Sequence, residues 1–240
     1  MKKYLKRIYA KSQIDYFKEL KNSLAKNDKK FIVTVNPESL VMAQNDKELN
    51  DMLLDKKTSL VPDGIAIVKA CKVLDIKVTE RITGVDIAEK LLKLANEQSK
   101  SIYLFGAKEE VIEALVAKIK KEYSNINILG YSDGYVNDRD KVFKKIIKLQ
   151  PDICLVALGI PHQEKLIYKH LDNFDKGIFV GVGGSFDVLS GAKKRAPKLF
   201  IKLNLEWFYR IMTEPKRLKR FWNNNIKFIF KIRREKKHTK

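Results

Sequence analysis

Six short strand-like runs, separated by stretches with helical periodicity, constrain this 240-residue chain more than any other feature. Phe31–Val35 ends at Asn36-Pro37, Ser59–Val61 at Pro62-Asp63-Gly64, and Ile102–Phe105 at Gly106. Ile126–Tyr131, Ile153–Leu158 and Gly177–Val182 follow, the last two closed by Gly159-Ile160-Pro161 and Gly183-Gly184. Helical spacing occupies 38–54, 65–74, 86–98, 109–123, 138–149 and 162–170; in the third of these, Ile87, Leu91, Leu94 and Ala95 share one face. A strand that is apolar at nearly every position must be covered on both sides, and alternation with helices supplies the cover. The expected fold is therefore α/β: a Rossmann-like, mostly parallel sheet with helices on both faces.

The C-terminal segment departs from this pattern. From Lys193 to Lys240 there are 17 Lys/Arg and 3 Asp/Glu, so most of the net charge of +20 lies there and the body is nearly balanced. Such asymmetry predicts a polyanionic partner surface. Two helices are expected, over 197–212 and 215–234, each opened by a proline suited to a first turn. In the second, Leu218, Phe221, Trp222, Asn225, Ile226, Ile229 and Phe230 form one face, with most of the Lys and Arg off it. A basic amphipathic helix with Trp and Phe on its apolar side suits an anionic membrane surface. A core helix with a solvated basic face has the same pattern. The chain is expected to divide into an α/β core at 1–196 and a basic helical C-terminal appendage at 197–240. Cys71 and Cys154 lie in apolar stretches without CxxC or metal-ligand spacing and read as buried reduced thiols, as in a cytoplasmic protein. No apolar run is long enough to span a bilayer, and none has the form of a secretory signal.

Ligands of a parallel sheet bind beyond the carboxyl ends of its strands. Asp63, in Val61-Pro62-Asp63-Gly64, stands at such an end, where a carboxylate can take a proton from a hydroxyl. It is equally the Asp of a common Asp-Gly turn. Thr34 and Asn36 face the same crevice or cap the next helix. Arg81 is a pocket cation or a surface partner of Glu80, and Gln163 a pocket residue or a first-turn helix residue. In Gly181-Val182-Gly183-Gly184-Ser185-Phe186-Asp187, glycines let the backbone approach a ligand, and the helix that follows favours an anion.

Several standard motifs are missing. There is no GxxxxGK[ST] phosphate loop, and Phe186 stands where a dinucleotide fingerprint would need its third glycine. Asp138-Arg139-Asp140 is formally a DxD metal pair, but it opens a helix, where capping explains it better. His162, His170 and His238 lack metal-ligand spacing.

Nine ordered blocks form a pattern larger than any of these motifs. They are Thr34-Val35-Asn36-Pro37-Glu38, Val61-Pro62-Asp63-Gly64, Glu80-Arg81-Ile82-Thr83-Gly84, Tyr103-Leu104-Phe105-Gly106-Ala107 and Gly134-Tyr135. After these come Ala157 through Lys165, Gly181 through Pro197, Leu205-Glu206-Trp207-Phe208-Tyr209-Arg210 and Glu214 through Arg220. Together the blocks resemble the bacterial WecG/TagA/CpsF glycosyltransferases; the likeness covers about residues 30–220, and its many ordered blocks make it more specific than any one motif. It implies an inverting enzyme that moves a sugar, N-acetylmannosamine or a related hexose, from a UDP-sugar to an undecaprenyl-diphosphate-linked sugar. Neither a bound metal nor another cofactor is implied. The resemblance further implies that Asp63 is the general base with Thr34 beside it, and that Asn36, Arg81 and Gln163 line the substrate pocket. Gly106, Tyr135, Gly183, Gly184 and Asp187 would meet the nucleotide, and Arg210, Arg217 and Arg220 would complete the site over the diphosphate. The implied partners are the UDP-sugar, the lipid-linked acceptor and an anionic membrane surface, with no nucleic acid. The implied location is the inner face of the bacterial cell membrane, with the product entering teichoic acid, capsule or exopolysaccharide. The transferred sugar, the acceptor linkage and a homo-oligomeric state stay open.

Two departures accompany the likeness. Leu166 stands where the family pattern has Trp, and the Lys-rich first thirty residues lack a clear opening strand. Two other functional classes fit parts of the sequence: a nucleic-acid-binding protein using the basic tail, and a nicotinamide-dependent oxidoreductase on a doubly wound sheet. No nucleic-acid-binding motif supports the first, and the broken glycine fingerprint opposes the second.

Overall fold

The computed structural model describes residues 1–215 and 217–237. Its single sheet has six parallel strands in the order β2-β1-β6-β5-β3-β4. They are β1 (Lys29–Val35), β2 (Thr58–Pro62), β3 (Ser101–Gly106), β4 (Asn127–Ser132), β5 (Ile153–Ala157) and β6 (Gly177–Gly181). β5 and β6 are buried at every position, as their unbroken apolar sequences require.

Alternate residues of each strand feed two cores. Phe31, Val33 and Val35 of β1 point to one, and Ile32 to the other. The first core is covered by α1 (Lys2–Leu5), then by α3 (Pro37–Met42), α4 (Lys47–Leu54) and α5 (Ile65–Val73), and further along by α8 (Arg139–Leu149) and α9 (His162–His170). The second is covered by α2 (Gln13–Ala25), α6 (Gly84–Glu97), α7 (Glu109–Glu122) and α10 (Ser185–Leu189). The helix after β1 thus packs on one face and that after β6 on the other. The same holds for β5 and β3. Where neighbouring connections leave to opposite faces, a crevice opens at the strand ends.

The helix expected over 38–54 is two helices. Asp46 accepts a hydrogen bond from the Leu49 N–H at 3.0 Å and starts α4 after a turn through Gln44 and Asn45. The start of the chain contributes no full strand. Ile8 makes a single parallel bridge to Leu60 at the sheet edge.

The tail forms α11 (Lys198–Lys202), α12 (Glu206–Thr213) and α13 (Arg217–Lys237). The single helix expected over 197–212 breaks at Asn204, which adopts φ +59. α13 packs against α3 and α5 through Phe228 and Ile232, which are 1% and 4% exposed and join the first core. The expected apolar face is therefore turned: Leu218, Trp222, Ile229 and Phe230 stay exposed. The helix carries apolar residues on more than one side, and the body takes the side with Phe228 and Ile232. The ring of Trp207 stacks on that of Phe221 at 4.9 Å between centroids, joining α12 to α13. No helix among the described residues is long and apolar enough to cross a membrane.

Candidate active site

The ends of β2, β1 and β6 lie side by side and gather most of the sequence-predicted residues. Asp63 follows β2 directly, and its N–H donates to the Val35 carbonyl at 2.9 Å. The Pro62 carbonyl accepts from the Ile82 N–H at 2.8 Å, which brings the segment carrying Arg81 to the same end. Thr34 is buried in β1, paired in register with Val61. Its side chain faces Gly84, where a Cβ would stand 3.6 Å from Thr34 Oγ1 and 3.6 Å from Ser185 Oγ.

Charge surrounds Asp63. Arg81 donates from Nη1 to Glu206 Oε2 at 3.2 Å and from Nη2 to the Ile201 carbonyl at 3.2 Å. Arg210 donates from Nη2 to Glu206 Oε1 at 3.0 Å. Glu80 is not the partner of Arg81; it accepts from the Gln13 N–H at 2.7 Å. Burial pushes the Asp63 carboxyl up to about 6; Arg210 and Arg81 pull it down, and Glu206 and Asp86 push it up. Although Asp63 keeps some accessible surface, its carboxyl behaves as a desolvated group. Burial also pushes Asp86 upward, but the Thr83 hydroxyl and the Arg195 guanidinium outweigh it and hold Asp86 below its ordinary range. A carboxyl poised near neutrality in a cleft is the setting of a general base.

Other predicted residues have structural duties. Asn36 caps α3: its Oδ1 accepts from the Ser39 N–H at 3.0 Å, and Ser39 Oγ accepts from the Asn36 N–H at 3.0 Å. Gln163 is 2% exposed. Its Oε1 accepts from the N–H of Gly159 at 3.1 Å and of Gly183 at 3.0 Å, so it braces the turns after β5 and β6. Its Nε2 donates to Glu164 Oε1 at 2.7 Å. Both side chains lie over Gly181, where a Cβ would stand 2.7 Å from Gln163 Nε2. Burial pushes Glu164 up to about 7, against the hydrogen bond from Gln163. Its Oε2 has no hydrogen-bond partner among the described residues.

Of the remaining predicted residues, Gly106 and Tyr135 lie at the β3–β5 crevice, while Gly183, Gly184 and Asp187 follow β6. Gly106 has φ +123, and a Cβ there would stand 2.3 Å from the Ala157 carbonyl oxygen. The Gly134 N–H donates to the Ala107 carbonyl at 2.7 Å, bringing the loop with Tyr135 against this end. Tyr135 itself is 74% exposed. Gly183 has φ +50, and Gly184 precedes α10. Asp187, in the first turn of α10, pairs with Lys193 at 3.5 Å. The side chains of Arg217 and Arg220 lie outside the described residues. Asp138 caps α8 through the Lys141 N–H at 2.9 Å, and Asp140 pairs with Lys169 and His170, so the formal DxD is taken up locally. Leu166 packs at the margin of the first core. Among the described residues no cluster of His, Cys, Asp or Glu could hold a metal ion.

Residues 6–240 match the Glycosyl transferase WecG/TagA/CpsF family. The chain belongs to that family. An N-acetylglucosaminyldiphosphoundecaprenol N-acetyl-beta-D-mannosaminyltransferase of Bacillus subtilis (strain 168) is 46% identical over 209 residues, covering 87% of this chain and 81% of the relative. Enzymes of the same description are 41% identical in Bacillus spizizenii (82% and 76% covered) and 37% identical in Staphylococcus aureus strain NCTC 8325 (88% and 82% covered). The family assignment makes this chain a glycosyltransferase enzyme, and the oxidoreductase and nucleic-acid alternatives give way to it.

Sequence reasoning singled out neither Glu206 nor Glu164. Each offered one signal: an acidic residue inside an otherwise apolar or buried stretch. Glu206 stands between Leu205 and Trp207, and Glu164 beside Gln163 in the first turn of a helix that covers the sheet.

Proposed function

We propose that this chain transfers N-acetylmannosamine from UDP-N-acetylmannosamine to N-acetylglucosaminyl-diphospho-undecaprenol, inverting the anomeric carbon. The setting of Asp63 carries the proposal: a carboxyl raised to about 6 by burial, at a strand end, flanked by two arginines. The names of the curated relatives supply donor sugar and acceptor. A sugar hydroxyl is a weak nucleophile. As its oxygen bonds to the anomeric carbon, its proton passes to Asp63 and the bond from that carbon to the UDP oxygen breaks. Positioned proton transfer of this kind contributes about 10²–10⁴-fold.

Departing UDP gains negative charge. Arg81 and Arg210 lie beside Asp63 to meet it, with Arg217 and Arg220 following in α13, so cationic side chains rather than a metal take the charge. Neutralising Asp63 in the same step removes an anion from the cluster as the leaving group becomes more negative. Gly106, Tyr135, Gly183, Gly184 and Asp187 form the nucleotide wall, and Thr34, Asn36 and Gln163 shape the pocket between.

The acceptor is lipid-linked, and the tail is the part suited to reach it. Exposed Leu199, Leu203, Trp207, Met212 and Trp222 share the segment with most of the net positive charge. Apolar side chains among cations bind an anionic bilayer surface. The core at 1–196 would then run the chemistry and the appendage at 197–240 would seat it at the membrane.

A donor screen tests the proposal. Purified protein, a short-chain lipid-diphosphate N-acetylglucosamine and a panel of UDP-sugars are assayed for UDP release. Release from UDP-N-acetylmannosamine alone is expected. Release from a different sugar only would overturn the donor, and no release from any would overturn the activity.

A further inference from the structure

Glu206 is the most buried of the charged side chains that act on Asp63. It is 5% exposed, against 15% for Arg81 and 43% for Arg210. Its two oxygens serve different masters. Oε2 takes Arg81, which belongs to the body, and Oε1 takes Arg210, one turn along its own helix. Arg81 also holds the Ile201 carbonyl at the end of α11. One carboxylate therefore sits at the junction of body and tail and touches both arginines that act on Asp63.

We propose that Glu206 is a positioning residue for the transfer reaction: it ties Arg210 of the tail to Arg81 of the body so that both guanidinium groups stand beside Asp63 before substrate arrives. The proposal rests on the function stated above. An acidic residue in the first turn of α12 would favour the helix wherever it pointed. Helix electrostatics alone do not call for a buried carboxylate shared between two arginines from different parts of the fold. Each arginine gives Glu206 one nitrogen, and Arg210 keeps its others for a diphosphate oxygen. Preset donors of this kind spare the reorganisation that would otherwise accompany charge development.

The charges facing this cleft are paired off before substrate binds. Arg81 and Arg210 oppose Asp63 and Glu206, while Arg195 pairs with both Asp86 and Glu89, so three cations face four carboxylates. Replacing Glu206 by a neutral isostere removes one anion that raises Asp63 and unties two cations that lower it; Arg210 acts on Asp63 more strongly than Glu206 does, so the Asp63 carboxyl rises when the arginines leave it and falls when they stay.

The test compares Glu206→Gln, Glu206→Asp and wild type in the full chain. In Glu206→Gln, kcat for UDP release falls by about tenfold to a hundredfold, as for a modest misplacement of catalytic groups. The acid limb of its pH–rate profile moves to higher pH as the arginines leave Asp63, and Glu206→Asp restores part of kcat. A carbon-13 NMR titration of the Asp63 carboxyl shows the same upward shift without needing turnover, so it still decides the point if the donor screen fails. Hydrogen exchange across α12 and α13 stays at the wild-type level. Wild-type kcat in Glu206→Gln, or an Asp63 titration that falls because both arginines have stayed in place, would overturn the proposal. Loss of activity with raised exchange throughout α12 and an unmoved titration would also overturn it, leaving Glu206 a tail anchor.

Discussion

The N–H of Asp63 donates to the carbonyl of Val35, so the carboxylate at the end of β2 is tied through the main chain to the end of β1. This bond holds Asp63 against Val35, the residue between Thr34 and Asn36, with no flexible loop between. A group fixed by the sheet can act as a base without reorganising. Asp63→Asn keeps the shape and removes the proton acceptor. Transfer should fall by about 10²–10⁴-fold, while UDP affinity by calorimetry stays near wild type. Unchanged turnover would remove Asp63 from the base role.

The pH profile follows from the direction of the Asp63 shift. Burial raises it to about 6, and the base works only when ionised. kcat/KM should therefore fall as pH drops through about 6 and flatten above about 7. An ordinary surface carboxylate would place that limb near 4. A profile flat down to pH 5 would contradict the burial of the carboxyl.

Much of this arrangement can be read from the sequence. Continuous apolar strands gave all six strand positions, and polar residues at their ends gave Asp63, Thr34 and Arg81. What could not be read depends on distant partners. Glu206 meets Arg81 across 125 positions, and no local spacing predicts that pair. The turned face of α13 has the same origin, because periodicity marks apolar stripes but not which one the body will cover. Gln163 was found by position, yet its brace between Gly159 and Gly183 needs β5 and β6 to be adjacent.

Glu164 links stability to pH. Its carboxyl is raised from 4.5 to about 7 because burial disfavours the charged form. A group raised in the folded state contributes most below its unfolded value, and that contribution is lost as pH rises through the folded value. Glu164→Gln stays neutral and can still accept from Gln163 Nε2. The variant should match wild type near pH 4 and become more stable relative to it between about pH 4.5 and 7, by at most a few kcal/mol. Urea unfolding at pH 4.5, 6 and 8 measures this; a constant difference across the three would count against a buried ionisable Glu164.

The two sides of α13 should separate under mutation. Phe228 is 1% exposed against α3 and α5, so Phe228→Ala should cost about 3 kcal/mol of stability. Trp222 is 61% exposed, and Trp222→Ser should change stability by no more than about 0.5 kcal/mol. Binding to vesicles containing anionic lipid should show the reverse order, with Trp222→Ser weakened and folded Phe228→Ala near wild type. Equal vesicle binding by Trp222→Ser would remove that face from the membrane contact.

Gly106 tests whether the second crevice depends on backbone proximity. At φ +123 a side chain is strained, and a Cβ would stand 2.3 Å from the Ala157 carbonyl oxygen. That carbonyl also accepts from the Ala107 N–H at 2.9 Å, and the Ala107 carbonyl holds Gly134 beside Tyr135. Gly106→Ala must push the ends of β3 and β5 apart and shift the Tyr135 loop with them. The expected cost is about 3 kcal/mol or more, combining backbone strain with the clash. UDP affinity should fall along with stability, because the loop carrying Tyr135 hangs on the displaced backbone. Tyr135→Ala should weaken UDP binding without the stability loss, since Tyr135 is 74% exposed and buries little. If both variants bound UDP as wild type does, the nucleotide would have to sit elsewhere along the strand ends, and the β1–β6 crevice would be the remaining place for it.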